Sequence, residues 1–368
     1  MNLSVGIVGL PGSGKTALFN AVTRHSAGGG RSTTATVPVP DERIDVLTSM
    51  VKPKRVVYAN VQFVDVAGLV KGGSQQGGLG GQFLGALQNA NALAIVLRCF
   101  PLPDLGFGAE PAHPLEDLEA VLLELQLSDL SRIDKRLERT SKAARQKDAQ
   151  AQREEEVLLR LREALDSGHN ALSVGITETE ASWLKDLALS TLKPMIFVAN
   201  VAEDDLTVLF NPDSDDPQGI RHTVAQIEDA AQANEAQVAV VCAQLEAELA
   251  ELDEADAREY LGSLGVTETG LTRFIEAAYA ELGLLTFLTA GEPEVRAWTV
   301  RKGARAPEAA GVIHSDIERG FIRVEVTPYD RLVEAGSQAR AKELGYTRLE
   351  GKDYVMQEGD VVYFRFSV

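Results

Sequence analysis

Cysteine, histidine, aromatic residues and positive charge are all scarce in this 368-residue chain. The two cysteines, Cys99 and Cys242, lie far apart, each in an apolar run. Buried free thiols are expected there, not a disulfide or a metal pair. Five histidines, His25, His113, His169, His222 and His314, include no pair at metal-ligand spacing. Lys and Arg number 36 against 54 Asp and Glu, a net charge of −18. Such a surface does not coat nucleic acid or an anionic membrane as a whole. No apolar run reaches the ~18–20 residues a spanning helix needs. Met1–Val5 carries neither the basic nor the long apolar region of a secretory signal. The expectation is a soluble, cytoplasmic, monomeric protein with no membrane partner.

Apolar residues make up 45% and charged residues 24%, so a sizeable core can form, and the length suits two or three domains. Leu3–Val8 is a short apolar, β-branched run, followed by a glycine-rich turn and a helical pattern at Leu18, Phe19 and Val22. Four further runs, Ala59–Val66, Ala92–Cys99, Met195–Val201 and Val238–Cys242, have buried-strand character. Helical or polar segments separate them, which is the rhythm of a mainly parallel α/β sheet covered on both faces. From Leu115 to Leu165 the chain is charged and free of glycine, with Leu118, Leu122, Leu125, Ile133 and Leu137, then Val157, Leu158, Leu161 and Leu165, at helical spacing. This predicts an antiparallel helical hairpin or coiled coil, hinged near Lys147–Gln152. Beyond Leu284, short β-type runs (Glu294–Val300, Gly320–Val326, Asp360–Phe366) and one helix over Asp330–Leu344 predict a separate α+β domain. The expected domains are 1–283, interrupted by a helical insertion at 114–168, and 284–368.

Gly9-x4-Gly14-Lys15-Thr16 joins the first strand to the first helix. A backbone wrapping phosphates needs glycine where a Cβ would block approach, and its N–H groups then face the anion. Pro11, Gly12, Ser13, Gly14, Lys15, Thr16 and Ala17 are the candidate phosphate loop; Lys15 would reach the terminal phosphates and Thr16 would ligate Mg²⁺. Asp65-Val66-Ala67-Gly68 closes the next strand run. Asp65 can hold a water of the Mg²⁺ shell, and the Gly68 N–H can sense a γ-phosphate. Lys71–Gly85 contains seven glycines and reads as a mobile switch. Leu69 follows Gly68 where Ras-like proteins place a water-orienting Gln, so slow intrinsic hydrolysis is expected.

The fourth run ends Asn200-Val201-Ala202-Glu203, where guanine readers carry Asn-Lys-x-Asp. That Asp takes two hydrogen bonds from guanine, and Glu203 is one methylene longer, which favours adenine without excluding guanine. Cys242, Ala243 and Gln244, after the fifth run, sit where a small-residue loop closes over the base.

Gly9–Thr16, Asp65–Gly72, Val198–Glu203, Arg296–Gly303, Gly311–His314, Glu318–Arg323 and Glu350–Tyr354 together resemble the Obg-related ribosome-binding ATPases of the YchF type. The resemblance runs along the whole chain. It implies a GTPase-like P-loop domain with an inserted coiled-coil arm and a C-terminal TGS domain of β-grasp type. It also implies Mg²⁺ dependence, ATP preferred over GTP, and binding to the ribosome or its large subunit. Two departures stand out. Gly12-Ser13-Gly14-Lys15-Thr16-Ala17 replaces the family's Asn-Val-Gly-Lys-Ser-Thr, and the segment before Val37 is short. Thr34 is the candidate Mg²⁺ ligand of that segment, with Thr33 and Thr36 beside it.

Arg132–Lys147 holds seven basic and two acidic residues, and Arg296–Arg305 holds four basic residues. Both are candidate RNA contacts, on the arm and on the TGS domain. A GTP-specific switch, and a ribosome- or RNA-binding scaffold with vestigial hydrolysis, are the competing readings.

Overall fold

The computed structural model describes residues 3–24, 33–66, 87–102, 111–266 and 268–367. The first seven strands are β1 (Ser4–Val8), β2 (Thr34–Pro38), β3 (Val56–Val57), β4 (Asn60–Asp65), β5 (Ala92–Arg98), β6 (Met195–Asn200) and β7 (Gln237–Val241). Six of them form one sheet in the order β2-β4-β1-β5-β6-β7. The pairs β4–β1, β1–β5, β5–β6 and β6–β7 are all parallel. Parallel strands covered on both faces bury every residue, which is why β1, β5 and β6 read as unbroken apolar runs. β2 escapes the sequence reading because its alternating burial and two threonines leave no apolar run.

The helical hairpin forms as Pro114–Arg145 and Ala149–Asp166. Lys147 turns through a positive φ of 64°, and the Asp148 carboxylate caps the second helix at the Gln150 and Ala151 N–H groups. The first helix, about 48 Å long at 1.5 Å per residue, serves two cores. Leu118, Val121, Leu122 and Leu125 pack with Leu93, Ile95 and Phe197 of the sheet. Ile133 packs instead with Val157, Leu158, Leu161 and Leu165 across the hairpin. The sequence treats 114–168 as one insertion, but the start of this helix is sheet core. Helical periodicity records that a face is buried, not what buries it. Ala171, Leu184 and Leu189 also join the hairpin cluster, carrying it past residue 168.

By compactness the chain divides into two units: 1–37 with 62–281, and 38–61 with 282–368. The sequence keeps Pro38–Val61 within 1–283. Its helix Glu42–Val51 and strand β3 instead cluster with the C-terminal residues. That second unit adds β8 (Leu284–Ala290), β9 (Val295–Arg301), β10 (Phe321–Pro328), β11 (Arg348–Glu350) and β12 (Asp360–Phe366), in the sheet order β11-β10-β12-β8-β9-β3. Within it β3 pairs parallel with β9, Arg43 bonds Asp41 through two nitrogens, and Arg43 also pairs with Glu358 at 2.6 Å. Its core gathers Phe287, Val300, Ala306, Ala310, Val324, Met356 and Phe364. A strand of two residues leaves no run to read, so this donation is invisible in sequence. The helix read over Asp330–Leu344 is two, Tyr329–Ala335 and Gln338–Glu343. Gly336 takes φ 72° between them and the Ser337 hydroxyl caps the second.

Candidate functional site

The C-terminal ends of β1, β4, β6 and β7 carry the residues singled out from sequence. In open α/β sheets that edge is where ligands bind. Gly9–Gly14 leads directly from β1 into the helix Lys15–Arg24, whose first turn is closed by the Leu18 N–H donating to Gly14 O at 2.9 Å. Gly12 and Gly14 hold φ of 80° and 89°, which L side chains resist. A Cβ at Gly14 would also collide with the Asn200 amide nitrogen, so glycine is doubly required.

Asn200, buried at the end of β6, ties three segments together. Its Nδ2 donates to Ser13 O at 2.9 Å, and its Oδ1 accepts from Ala243 N–H at 3.0 Å. The loops after β1 and β7 are thereby held in fixed relation through one amide. Two buried bonds of this kind contribute about 1 kcal/mol each, and more is lost when one partner is left unpaired.

Lys15 donates from Nζ to Leu10 O at 2.8 Å. Burial holds its pKa below the ordinary lysine value, and the charge of Asp65 partly offsets this. Burial pushes Asp65 up in turn, with Lys15 opposing. The two side chains are thus in electrostatic reach, one at the loop and one at the end of β4. The Asp65 N–H bonds Thr33 O at 2.9 Å, which brings the start of β2, and Thr34 with it, alongside the Asp65 end of β4. Gly68, Leu69 and Lys71–Gly85 lie outside the described residues.

The donor chemistry here fits Mg²⁺. Hard oxygens are offered by Thr16, at the first turn of the helix, and by Asp65, while no group of three or more His, Cys, Asp or Glu that would build an all-protein cage occurs among the described residues. The buried Ser13 hydroxyl has no hydrogen-bond partner among the described residues. Such a group costs about 1–3 kcal/mol unless a ligand or water satisfies it.

Val201, Cys242 and Ala243 are buried, whereas Gln244, Pro11 and Thr16 are exposed. Glu203 begins the helix Glu203–Phe210, whose first turn is braced by the buried Asp205 accepting from Ala202 N–H at 3.1 Å. Burial holds the Cys242 thiol above its ordinary value; the Leu245 and Gln244 N–H groups oppose this, and the charges of Glu203 and Glu246 add to it. Both cysteines are buried and free, and burial pushes the Cys99 thiol up to about 12. Sequence reasoning missed Tyr260, whose phenol O–H donates to Glu203 Oε1. It lies 57 positions downstream in a helix without a motif, so no spacing signal points to it.

On the arm, the structure separates the seven basic residues. Arg132 is half-buried and donates to Leu187 O and Ala188 O. Arg136 pairs with Glu154 at 2.6 Å and Asp186 at 2.8 Å. Lys135, Arg139, Lys142, Arg145 and Lys147 are exposed. The available positive charge is therefore five residues, not seven.

Parallel sheet, phosphate loop and the Asn200 link together define a P-loop protein of the GTPase fold. A family model described as 50S ribosome-binding GTPase matches residues 4–133, and the YchF-GTPase_C model, described as a protein of unknown function, matches 284–367. The chain belongs to the YchF family. It is 45% identical to the ribosome-binding ATPase YchF of Bacillus subtilis and 41% identical to that of Haemophilus influenzae, each over the full length of both chains. The solved structure of the Schizosaccharomyces pombe YchF GTPase superposes with a TM-score of 0.84 at 29% identity, covering 99% of this chain and 98% of that one.

Proposed function

We propose that this protein is a Mg²⁺-dependent nucleoside triphosphatase that prefers ATP and acts as a slow nucleotide switch on the ribosome. The observation that carries the reading is the Ser13–Asn200–Ala243 link, which assembles a phosphate loop and a base loop in advance of any ligand. In this reading Pro11–Ala17 cradle the phosphates through backbone N–H groups, and Lys15 leaves Leu10 O to meet the terminal phosphates. Thr16, Thr34 and, through water, Asp65 hold Mg²⁺, which when bound neutralises charge on the β- and γ-phosphate oxygens. The Gly68 N–H reports the γ-phosphate. Asn200, Val201, Glu203, Cys242, Ala243 and Gln244 surround the base. Lys15, Asp65 and Gly68 are the catalytic group, and Leu69 in place of a water-orienting side chain supports slow turnover.

The printed names of the relatives, ribosome-binding ATPases, support both the nucleotide and the partner. The description of the model matching residues 4–133 supports the large subunit. The exposed arm residues Lys135, Arg139, Lys142, Arg145 and Lys147 supply an RNA-contacting surface, and Arg296–Arg305 a second. No described helix is long and apolar enough to cross a membrane. A monomer working in the cytoplasm fits this role.

Calorimetric titration of ATP against GTP in the presence of Mg²⁺ tests the reading. Tighter binding of ATP is expected, and tighter GTP binding would replace it with a GTP switch. Co-sedimentation with ribosomes should change between bound nucleotides; binding indifferent to nucleotide and to loss of Lys15 would make the chain a scaffold instead.

A further inference from the structure

Side chains alternate across a strand, so the register of β10, β11 and β12 decides which of them share a face. On one face Val324 and Val326 lie opposite Phe364 and Val362 and enter the core of the second unit. On the other, Glu325 stands between Leu349 and Tyr363, and Arg323 lies opposite Arg365. Tyr363 is 67% exposed, and Arg323, Arg365 and Leu349 are exposed beside it.

Neither the ring nor the arginine pair serves the stability of the unit. Like charges directly opposite on antiparallel strands repel, and Arg323 has no ion pair among the described residues to offset this. A tyrosine standing mostly in water contributes little by burial. The cations are nonetheless held in place. Glu325, nearly buried, accepts from Arg365 Nε at 2.8 Å and from its Nη2, and pairs with Lys342 Nζ at 2.6 Å. One carboxylate thus braces two cations, and Arg323 adds a third positive charge to the same face. In a chain of net charge −18, that local excess suits a polyanion.

We propose that this face binds single-stranded RNA, with an unpaired base stacked on Tyr363 and its neighbouring phosphates met by Arg323, Arg365 and Lys342. An exposed ring on an open sheet, with guanidinium groups beside it, offers a stacking surface to a base that has a free face. Bases inside a duplex are already covered on both faces, so the single strand is preferred. Every base has such a face, so the surface selects strandedness and not sequence. It is separate from the arm and from Arg296–Arg305, and it does not depend on which nucleotide the phosphate loop prefers.

The test is fluorescence anisotropy of a labelled oligouridylate, about twelve nucleotides long, titrated with the full chain. Lys135→Glu, Arg139→Glu and Lys142→Glu are present throughout, so that the arm does not mask the second unit. Saturable binding at low salt is expected, with a matched RNA duplex competing poorly. Tyr363→Ala should weaken binding about tenfold at every salt concentration, and Tyr363→Phe should change it less than about threefold. Arg323→Gln should instead make the salt dependence shallower by about 0.7, the share of one phosphate contact. These side chains are exposed, and thermal melting checks that each variant is folded. No saturable binding overturns the proposal and leaves the face to an acidic protein surface. Undiminished binding by Tyr363→Ala, or a duplex that competes as well as the single strand, overturns it too. Calorimetry with ATP and ribosome co-sedimentation of the unmodified chain report separately on the proposed function.

Discussion

Asn200 donates a hydrogen bond from Nδ2 to the carbonyl of Ser13 at 2.9 Å, across 187 positions of sequence. The same amide accepts from Ala243 N–H, so the phosphate loop and the loop after β7 are held by one buried side chain. Asn200→Ala should lower the unfolding free energy by about 2 kcal/mol, since two bonds go and two backbone groups lose their partner. Asn200→Asp keeps an acceptor for Ala243 but places an oxygen against Ser13 O. Urea denaturation should rank the wild-type chain first, and both variants should bind ATP more weakly.

Lys15 rests on Leu10 O and shares a partly desolvated region with Asp65. Lys15→Ala should weaken nucleotide binding about 10–100-fold, the loss expected for a charged hydrogen bond to phosphate. Stability should change little, because burial already holds that ammonium below its ordinary pKa. A variant with undiminished affinity in fluorescent-nucleotide titration would remove Lys15 from the site.

Glu246, buried in the helix Ala243–Leu249, accepts from Leu271 N–H at 3.1 Å. Burial pushes its carboxyl up from 4.5 to about 7, opposed by its backbone hydrogen bonds. The folded pKa exceeds the unfolded one, so the protonated acid is the form the fold favours. That stabilisation is complete below about 4.5 and is lost as pH rises through about 7, on the order of 3 kcal/mol. Glu246→Gln should flatten this part of the stability–pH curve. Chemical denaturation at pH 5, 6, 7 and 8 reads the difference between the two proteins.

Charge reversal on the arm should separate two kinds of arginine and lysine. Lys135→Glu, Arg139→Glu and Lys142→Glu, combined, should reduce ribosome co-sedimentation with a shallower salt dependence and unchanged nucleotide affinity. Arg136→Glu should instead destabilise the hairpin, because Arg136 is committed to Glu154 and Asp186. The cost of losing that pair is about 1 kcal/mol, read by thermal melting. Unchanged sedimentation of the triple variant would take the arm out of the ribosome contact.

The sheet strands, the hairpin and the phosphate loop were legible because each is a local pattern. Apolar runs such as Ala92–Arg98 mark strands buried on both faces, and the Gly9–Thr16 spacing marks a turn that needs positive φ at Gly12 and Gly14. Thr34–Pro38 was hidden because its burial alternates, and Val56–Val57 because two residues make no pattern. Arg136 looked like one more surface charge among seven. Only its partners, Glu154 across the hairpin and Asp186 beyond it, distinguish it from Arg139.

By itself the sequence determined the buried strands of the parallel sheet, the two arm helices, where the phosphate loop lies, and that the bulk charge is acidic. Period, spacing and composition act over a few residues, so they survive without a structure. Tertiary structure decided which separated groups meet. Among these are Asn200 between Ser13 and Ala243, Lys15 near Asp65, and Tyr260 on Glu203. It also decided that Pro38–Val61 completes the C-terminal unit and that the first arm helix is shared between two cores. Those pairings depend on chain crossings tens to hundreds of residues apart, and a local pattern carries no record of what lies opposite.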